Sequence, residues 1–528
     1  MLSSLSSFSA LTTRRGLVAL GAATALTVAS ARESVAAPTP APGFLTSRDA
    51  MLEPATPGVR ILPILSVGDT LPGGHKFEAI PDGVAVRLNG RWTAEVFVNH
   101  ETSTVPFPLP VTTTTVGDFH NAQVSRLILR RNTAGVLAGE DVIPSSANYQ
   151  RFCSSFLAGR AHGFERPMLL TNEESDALVY RTGTAWPVTP GDPKAEQAGM
   201  VVVYDLRSRR WKSVPGLGRM NHENTVAVPG YGKPVLITGD DTFAAPSSQL
   251  FMYVADDAFG VWNDFGTLYA FRSANPAVND YGDLGGTGAA QTSGEFVAVP
   301  KDVATGDQKA LEDWCKANGV FQFIRVEDIA TDRQHPNVVY FADTGEPRAI
   351  PDTATGQLKR GPSGTIGAFP NGRIFKLVLD TNDPTKVTSL SVLIDGDRLG
   401  AAGVKDPALI HQPDNIETTS NSILIQEDPG SHNQYAPGDP GATTARIWRY
   451  DLATGQLTVV ARVRQRPDPA LKLGAWESSG IVDASPVFGP GMFLVTVQSN
   501  DVVDRDVQNG MPVEREDGQL LLIHIPGA

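Results

Sequence analysis

The sequence repeats one short pattern, in which a strand ends at or just before an Asp, a polar turn follows, and a second strand returns. Apolar and polar residues alternate on both sides of each turn, which is typical of β-hairpins with one buried face. The pattern occurs at 201–214, 373–394 and 447–463. These recurring hairpins predict an all-β fold.

Further short apolar runs lie between the hairpins, each bounded by Gly, Pro, Asn or Asp, at 235–238, 338–342, 423–426 and 492–498. Helical periodicity is confined to 306–318, where Leu311, Trp314 and Cys315 are spaced for one helix face. Many short strands in repeated sheets favour a β-propeller over a sandwich. We therefore predict a propeller of six or seven blades with few short helices, closed by pairing of the strand at 520–525 with an early strand.

The amino terminus has the features of an export signal. Arg14 and Arg15 stand directly before an apolar, Ala-rich run that ends in small residues, and this run is too short for a permanent membrane span. The paired arginines predict a twin-arginine signal peptide over 1–37, with the twin-arginine translocase as export partner. Chance arginines before a general secretory signal are the alternative. We expect a linker over 38–50, a single propeller domain over 51–528, no membrane anchor, and a periplasmic or secreted product.

The balance of charges limits the partners. The chain carries 44 basic and 57 acidic side chains, a formal net charge of -13. Nucleic acid is excluded as a partner, because a phosphate backbone requires a basic surface. An excess of carboxylates instead suits hard cations such as calcium.

The chain contains two cysteines, Cys153 and Cys315. Two are too few for a disulfide scaffold in a chain of this length. Three roles stay open on the sequence alone: one disulfide, two buried thiols, or a single thiolate that binds a metal.

Acidic clusters recur beside the apolar strands. Taken singly, such pairs are common at strand ends, where they solvate turns, and the histidines among them more often orient loops. Taken together, carboxylates that converge in a propeller channel repel one another unless a cation neutralises them. The pattern therefore predicts a multinuclear metal site. The clusters are at 99–101, 172–174, 221–223, 239–241, 326–328, 413–415, 426–428 and 476–477.

Several of these motifs, taken in order, resemble the PhoX-type alkaline phosphatases. They are the twin-arginine leader, Asn-His-Glu at 99–101 and 221–223, Glu173-Glu174, Arg325-x-Glu327 and Pro413-Asp414-Asn415. The resemblance extends over 98–498 and implies an extracytoplasmic propeller that hydrolyses phosphate monoesters with calcium ions and an iron centre.

The resemblance also implies roles for single residues. Glu223 and Glu327 match metal-binding glutamates, and Arg325 matches a phosphate contact, so these three are the implied catalytic residues. The implied calcium shell is completed by Glu173 or Glu174, Asp241, Asp414 and Asn415. A guanidinium suits the phosphate role because it offers a planar fork to two oxygens, although an ion pair with a neighbouring carboxylate is an equally good account of Arg325.

The sequence departs from the family at its cysteine. In the family a short Trp-containing segment joins a cysteine iron ligand to the Glu-Glu pair, whereas Cys153 lies 20 residues before Glu173 without that segment. Cys153 is thus an implied metal ligand, while iron stays open beside calcium. Two other functions are also open: a calcium-dependent propeller hydrolase of another bond, such as a lactonase or phytase, and a non-enzymatic calcium-binding propeller.

Overall fold

The computed structural model describes residues 43–103, 105, 120–181, 188–189, 191–288, 291–399, 406, 408–430, 442–466, 473–508 and 511–528. Of residues 500–514, it describes only the backbone of those within these ranges. The signal peptide expected at 1–37 and the first part of the expected linker lie outside this set. Within it, no helix has the length and apolar character needed to cross a membrane.

The described residues form thirty strands and four short α-helices. The strands are β1 (Leu52–Pro54), β2 (Arg60–Ser66), β3 (Pro81–Asn89), β4 (Thr93–His100), β5 (Gln123–Arg130), β6 (Val136–Ile143), β7 (Phe152–Ala158), β8 (Met168–Glu173), β9 (Leu178–Tyr180), β10 (Ala195–Gln197), β11 (Val201–Asp205), β12 (Arg210–Ser213), β13 (His222–Ala227), β14 (Val235–Asp240), β15 (Leu250–Val254), β16 (Thr267–Ser273), β17 (Thr292–Ala298), β18 (Val326–Thr331), β19 (Val338–Asp343), β20 (Ala349–Pro351), β21 (Leu358–Arg360), β22 (Arg373–Leu379), β23 (Lys386–Asp395), β24 (Pro413–Thr418), β25 (Ser422–Glu427), β26 (Arg446–Asp451), β27 (Leu457–Val463), β28 (Glu477–Asp483), β29 (Met492–Gln508) and β30 (Met511–His524). The helices are α1 (Ala258–Trp262), α2 (Lys301–Ala304), α3 (Gln308–Ala317) and α4 (Ser485–Phe488).

The strands build a six-bladed β-propeller, which confirms the predicted fold class. The blades are β3–β6, then β7, β8, β11 and β12, then β13–β16, then β18, β19, β22 and β23, then β24–β27, and finally β28–β30 with β2. The first strand of each blade is innermost, and these six strands contact one another in a closed ring in the order β3, β7, β13, β18, β24, β28 and back to β3. Their starts therefore meet at one end of a central channel.

The ring is closed by early strands, as expected. β2 pairs antiparallel with β30 from Arg60 opposite His524 to Ser66 opposite Gln519, and β1 adds an outer strand to the fifth blade beside β27. β17 lies between β16 and β23 and joins the third and fourth blades into one nine-stranded sheet.

The Asp of each repeated hairpin accepts hydrogen bonds from the amides of its turn. Asp205 accepts hydrogen bonds from the amides of Arg207 and Ser208 at 2.9 and 3.4 Å. Asp380 and Asp451 do the same for the amides that follow them. Since a carboxylate satisfies two turn amides at once, the chain reverses within a few residues and the next strand pairs with the last.

Apolar side chains fill the space between neighbouring blades. The largest cluster lies between the third and fourth blades, where Phe341 stacks on Phe375 with ring centroids 4.9 Å apart. The predicted helix is α3, which buries Leu311 and Cys315 against a second cluster. Close-packed interfaces of this kind hold the inner strands in fixed positions at the channel.

Candidate metal centre at the channel end

Each innermost strand has a β-bulge near its start, and this bulge carries the site. In the first five blades the pairing with the second strand skips between the first and fourth residues of the strand; in the sixth it skips between Ser479 and Ile481. A bulge adds an unpaired residue and re-aims the side chains beside it. The metal-binding residue types are at the second position of the first five strands and the first position of the sixth: Asp82, Cys153, Glu223, Glu327, Asp414 and Glu477.

A second set of acids follows the neighbouring strands. Glu101 follows β4, Glu174 follows β8, and Asp428 follows β25. Because the second strand of a blade runs antiparallel to the first, its end lies beside the start of the first strand. Both sets of side chains therefore reach the same end of the channel.

Ligand atoms of these nine residues form four groups of three, and within each group they lie within 4.8 Å of one another. The groups are Asp82 with Glu101 and Cys153, Cys153 with Glu174 and Glu223, Glu223 with Glu327 and Asp414, and Asp414 with Asp428 and Glu477. Since consecutive groups share Cys153, Glu223 or Asp414, the nine residues make one continuous cluster, here called the acidic cluster.

Burial and mutual repulsion disfavour the charged forms of this cluster. Burial first, and then the charge of neighbouring carboxylates, raise the pKa values of Glu223 and Asp414 well above their usual range. The pKa of Glu101 rises to about 7, mainly through burial, and the pKa of the Cys153 thiol also rises, through burial and then Glu101. A bound cation reverses both effects, because it favours the deprotonated ligands.

Hydrogen bonds within and between blades hold the cluster residues in place. The Cys153 thiol donates to Glu174 Oε2 at 2.8 Å. Ser479 and Gln498 of the sixth blade donate to Asp82 of the first, at 2.6 and 3.0 Å. The donors fix the carboxylates without neutralising them, so the arrangement is suited to a multinuclear centre of oxygen ligands with one sulfur.

Arg325 lies at the edge of the acidic cluster. Its Nε donates to Asp241 Oδ1 at 2.5 Å, and its Nη2 donates to Asp241 Oδ2 and lies 3.5 Å from Glu327 Oε1. Burial alone would lower the pKa of Arg325, but Asp241 and then Glu327 raise it further above its usual range. Asp241 occupies the edge of the guanidinium formed by Nε and Nη2. The remaining nitrogen, Nη1, donates to no acceptor among the described residues.

Six of the residues selected from the sequence lie at this site: Cys153, Glu174, Glu223, Glu327 and Asp414 in the cluster, and Arg325 at its edge. The structure gives the other three different partners. Asp241 pairs with Arg325 and also lies beside the cluster residue Glu174. Glu173 binds Arg181 through both oxygens at 2.7 Å. Asn415 Oδ1 accepts from Ser479 and Gly480 of the next blade at 3.1 Å.

Four cluster residues were not selected from the sequence: Asp82, Glu101, Asp428 and Glu477. Glu101, Asp428 and Glu477 lie in acidic motifs that the sequence does reveal. Asp82 lies outside those motifs, although β3 begins with Pro81-Asp82, as β24 begins with Pro413-Asp414. Both cysteines are free and buried, and only Cys153 lies in the cluster.

A family model described as Alkaline phosphatase PhoX matches residues 182–464. This match covers more than half of the chain. The chain belongs to the alkaline phosphatase PhoX family. It is therefore a phosphoric ester hydrolase, as the resemblance implied.

One solved structure of the PhoX family shares the propeller fold of this chain. The structure of Pseudomonas fluorescens PhoX in complex with vanadate, a transition state analogue, aligns with a TM-score of 0.58 and 16% identity over 91% of this chain and 98% of that chain. The Trypanosoma rangeli sialidase has a TM-score of 0.38 and 8% identity over 89% of this chain and 60% of its own. No curated protein sequence matches this chain.

Proposed function

We propose that this protein hydrolyses phosphate monoesters outside the cytoplasm, with a multinuclear metal centre held by the acidic cluster. The observation that carries the proposal is the convergence of metal-binding side chains from all six blades beside one buried arginine. The solved structure of Pseudomonas fluorescens PhoX, a complex with the transition state analogue vanadate, supports the choice of phosphoryl transfer.

The residues present fit such a centre. Eight carboxylates and one thiol lie in four overlapping groups, and the raised pKa values of Glu223 and Asp414 reflect the cost of keeping these carboxylates charged without cations. Carboxylate oxygens are the ligands that calcium prefers, and the Cys153 thiolate suits a softer metal such as iron. Bound cations would supply Lewis acidity toward phosphoryl oxygens and would acidify a water molecule.

The chain's own contribution to the reaction is orientation and charge. Asp241 aims the Arg325 guanidinium, whose Nη1 donors would bind equatorial oxygens of the phosphoryl group and stabilise their charge in the transition state. Thr344 donates its hydroxyl to Glu327 Oε1 and so fixes the orientation of that carboxylate. We assign Glu327, whose Oε1 lies 3.5 Å from Arg325 Nη2, and Glu223, which shares a group with Glu327 and Asp414, as metal ligands of the catalytic site.

The test is hydrolysis of p-nitrophenyl phosphate by the natively exported protein, with elemental analysis of the same sample. We expect bound calcium, with or without iron, and an activity that chelation abolishes. Glu223→Gln should lower both metal content and kcat/KM by more than about tenfold, whereas Glu53→Gln, on the exposed edge strand β1, serves as the matched control. Metal-free protein with full activity would overturn the proposal.

Export by the twin-arginine route is the second part of the proposal. It is motivated by Arg14 and Arg15 before the apolar run, and a folded, metal-loaded protein is a suitable cargo for that route. Replacing both arginines by Lys keeps the positive charge but removes the motif. We expect the doubly substituted protein to stay in the cytoplasm, whereas unchanged export would show that a general secretory signal operates.

A further inference from the structure

Two arginines lie beside each other on a small hairpin of the fourth blade. Arg348 directly precedes β20 and Arg360 ends β21, and β20 and β21 form a two-stranded antiparallel sheet in which Ala349 lies opposite Arg360. Both side chains interact with Glu346: Arg360 Nε lies 2.9 Å from Glu346 Oε2, and Arg348 Nε lies 3.5 Å from Glu346 Oε1. One carboxylate therefore orients two guanidinium groups.

Two connections place this pair at the rim of the acidic cluster. Glu346 follows Thr344 by two residues, and the Thr344 hydroxyl donates to the cluster ligand Glu327. On the other side, Arg360 Nη1 donates to the carbonyl of Phe243 at 3.1 Å, and Phe243 lies two residues after Asp241, the residue that binds Arg325. The hairpin is thus joined both to a cluster ligand and to the residue that orients Arg325.

The pair presents a net positive charge toward solvent at this rim. The Glu346 side chain is 2% exposed, whereas those of Arg348 and Arg360 are 28% and 37% exposed. Burial, followed by the neighbouring charges of Arg348 and Arg325, lowers the pKa of Arg360, although Glu346 opposes this shift. Arg360 is therefore close enough to Arg325 for their charges to interact. Arg348 and Arg360 together carry one positive charge more than the single Glu346 carboxylate neutralises.

We propose that Arg348 and Arg360 form an anion subsite for the alcohol part of the substrate, so that the enzyme prefers phosphate monoesters carrying a second anionic group. This inference rests on the proposed function. Arg325 binds the phosphoryl group that is transferred, and the rim pair binds a carboxylate or a second phosphate on the same molecule. A guanidinium suits either group, because its planar fork pairs with two oxygens.

The test compares glycerol 3-phosphate with 3-phosphoglycerate, which differ in one carboxylate. We expect the wild-type protein to have the lower KM for 3-phosphoglycerate. Arg360→Gln should reduce kcat/KM for 3-phosphoglycerate roughly tenfold more than for glycerol 3-phosphate, with the difference in KM rather than kcat. Arg360→Lys should restore part of the preference, because it keeps the charge without the fork.

Lys359→Gln is the matched control, since Lys359 is the adjacent exposed cation and pairs with Asp352 instead. We expect it to leave the ratio between the two substrates unchanged. Equal losses on both substrates in Arg360→Gln, or the same change of ratio in Lys359→Gln, would overturn the subsite.

Calorimetric titration of each variant with the same two compounds separates the subsite from the catalytic proposal. Tighter binding of 3-phosphoglycerate that is lost in Arg360→Gln supports the subsite even if neither compound is hydrolysed. Absence of hydrolysis would contradict the proposed function alone, whereas equal affinity of the wild-type protein for both compounds would contradict the subsite alone.

Discussion

Cys153 links two parts of the acidic cluster, because it belongs both to the group with Asp82 and Glu101 and to the group with Glu174 and Glu223. Its Sγ is the one soft ligand among the nine residues. In Cys153→Ser, we expect the thiophilic metal to be lost and kcat/KM to fall by more than about tenfold, because a serine hydroxyl is a weak ligand. Elemental analysis and phosphatase assays test this, with Cys315→Ser as the control for a buried thiol outside the cluster. Equal metal content in both variants would contradict the assignment.

His162 makes stability depend on pH although it is not a member of the acidic cluster. Its Nδ1 accepts a hydrogen bond from the Gly159 amide at 3.1 Å, and its ring meets Phe156 edge-on. Burial, followed by the charge of Arg333, lowers the pKa of His162 from 6.5 to about 4. Between these values the unfolded chain binds a proton that the folded chain does not, so the free energy of unfolding falls as the pH drops from 6.5 to 4.

Replacing His162 with Gln removes this proton uptake. We expect the wild-type protein to lose about 2 kcal/mol more stability than His162→Gln when the pH is lowered from 7.5 to 5. Urea unfolding at the two pH values measures the difference. His335→Gln, at a side chain 68% exposed, is the control and should lose as much as the wild type. The same loss in His162→Gln as in the wild type would show that His162 is not the group involved.

At the residue scale, the sequence shows which types of metal-binding residue are present better than it shows where each one lies in the fold. The two Asn-His-Glu motifs look alike, yet His100 ends a second strand while His222 begins an innermost one. Each motif nevertheless supplies a Glu to the cluster. The sequence also leaves Glu173 and Glu174 equivalent. The structure distinguishes them by their position at the end of β8, where Glu173 binds Arg181 and Glu174 accepts a hydrogen bond from Cys153.

At the element scale, closure of the ring depends on β2. Leu65 of this strand is fully buried and lies opposite Leu520 of β30. Leu65→Ala should reduce the free energy of unfolding by about 2–5 kcal/mol, because it leaves a cavity where the first and last parts of the chain meet. Leu88→Ala, at a residue 50% exposed on β3, should change it by less than about 0.5 kcal/mol. Chemical denaturation compares the two, and similar effects would mean that the closure contributes little.

Individual strands are easier to predict from the sequence than the number of blades. Hairpins at 201–214, 373–394 and 447–463 follow from local alternation and turn chemistry, and all three are present. The number of blades does not follow, since β1 and β2 join the two last blades and β17 merges two others. The bulges at the inner strands also leave no periodic signal, because they depend on pairing with a partner strand.

At the scale of the whole molecule, the acidic cluster connects every blade. Asp82, Cys153, Glu223, Glu327, Asp414 and Glu477 each come from a different innermost strand. Without cations, repulsion among these buried carboxylates acts to push the inner strands apart. With cations, the same carboxylates join the six blades at the channel end, so metal binding and closure of the propeller stabilise one another.

Removal of the metals should therefore lower the stability of the entire propeller and not only its activity. A ligand present at about a thousand times its Kd stabilises the folded state by about 4 kcal/mol, and chelation removes this contribution. We expect calorimetry of the natively exported protein to show a lower Tm after chelation, with recovery when calcium, and iron if the isolated protein contains it, are restored. Asp414→Asn should reduce the difference between the two scans, because Asp414 belongs to two of the four groups. The contrary outcome is an unchanged Tm in a sample from which elemental analysis shows that all metal has been removed. In that case the blades hold together without cations, and the cluster serves catalysis alone.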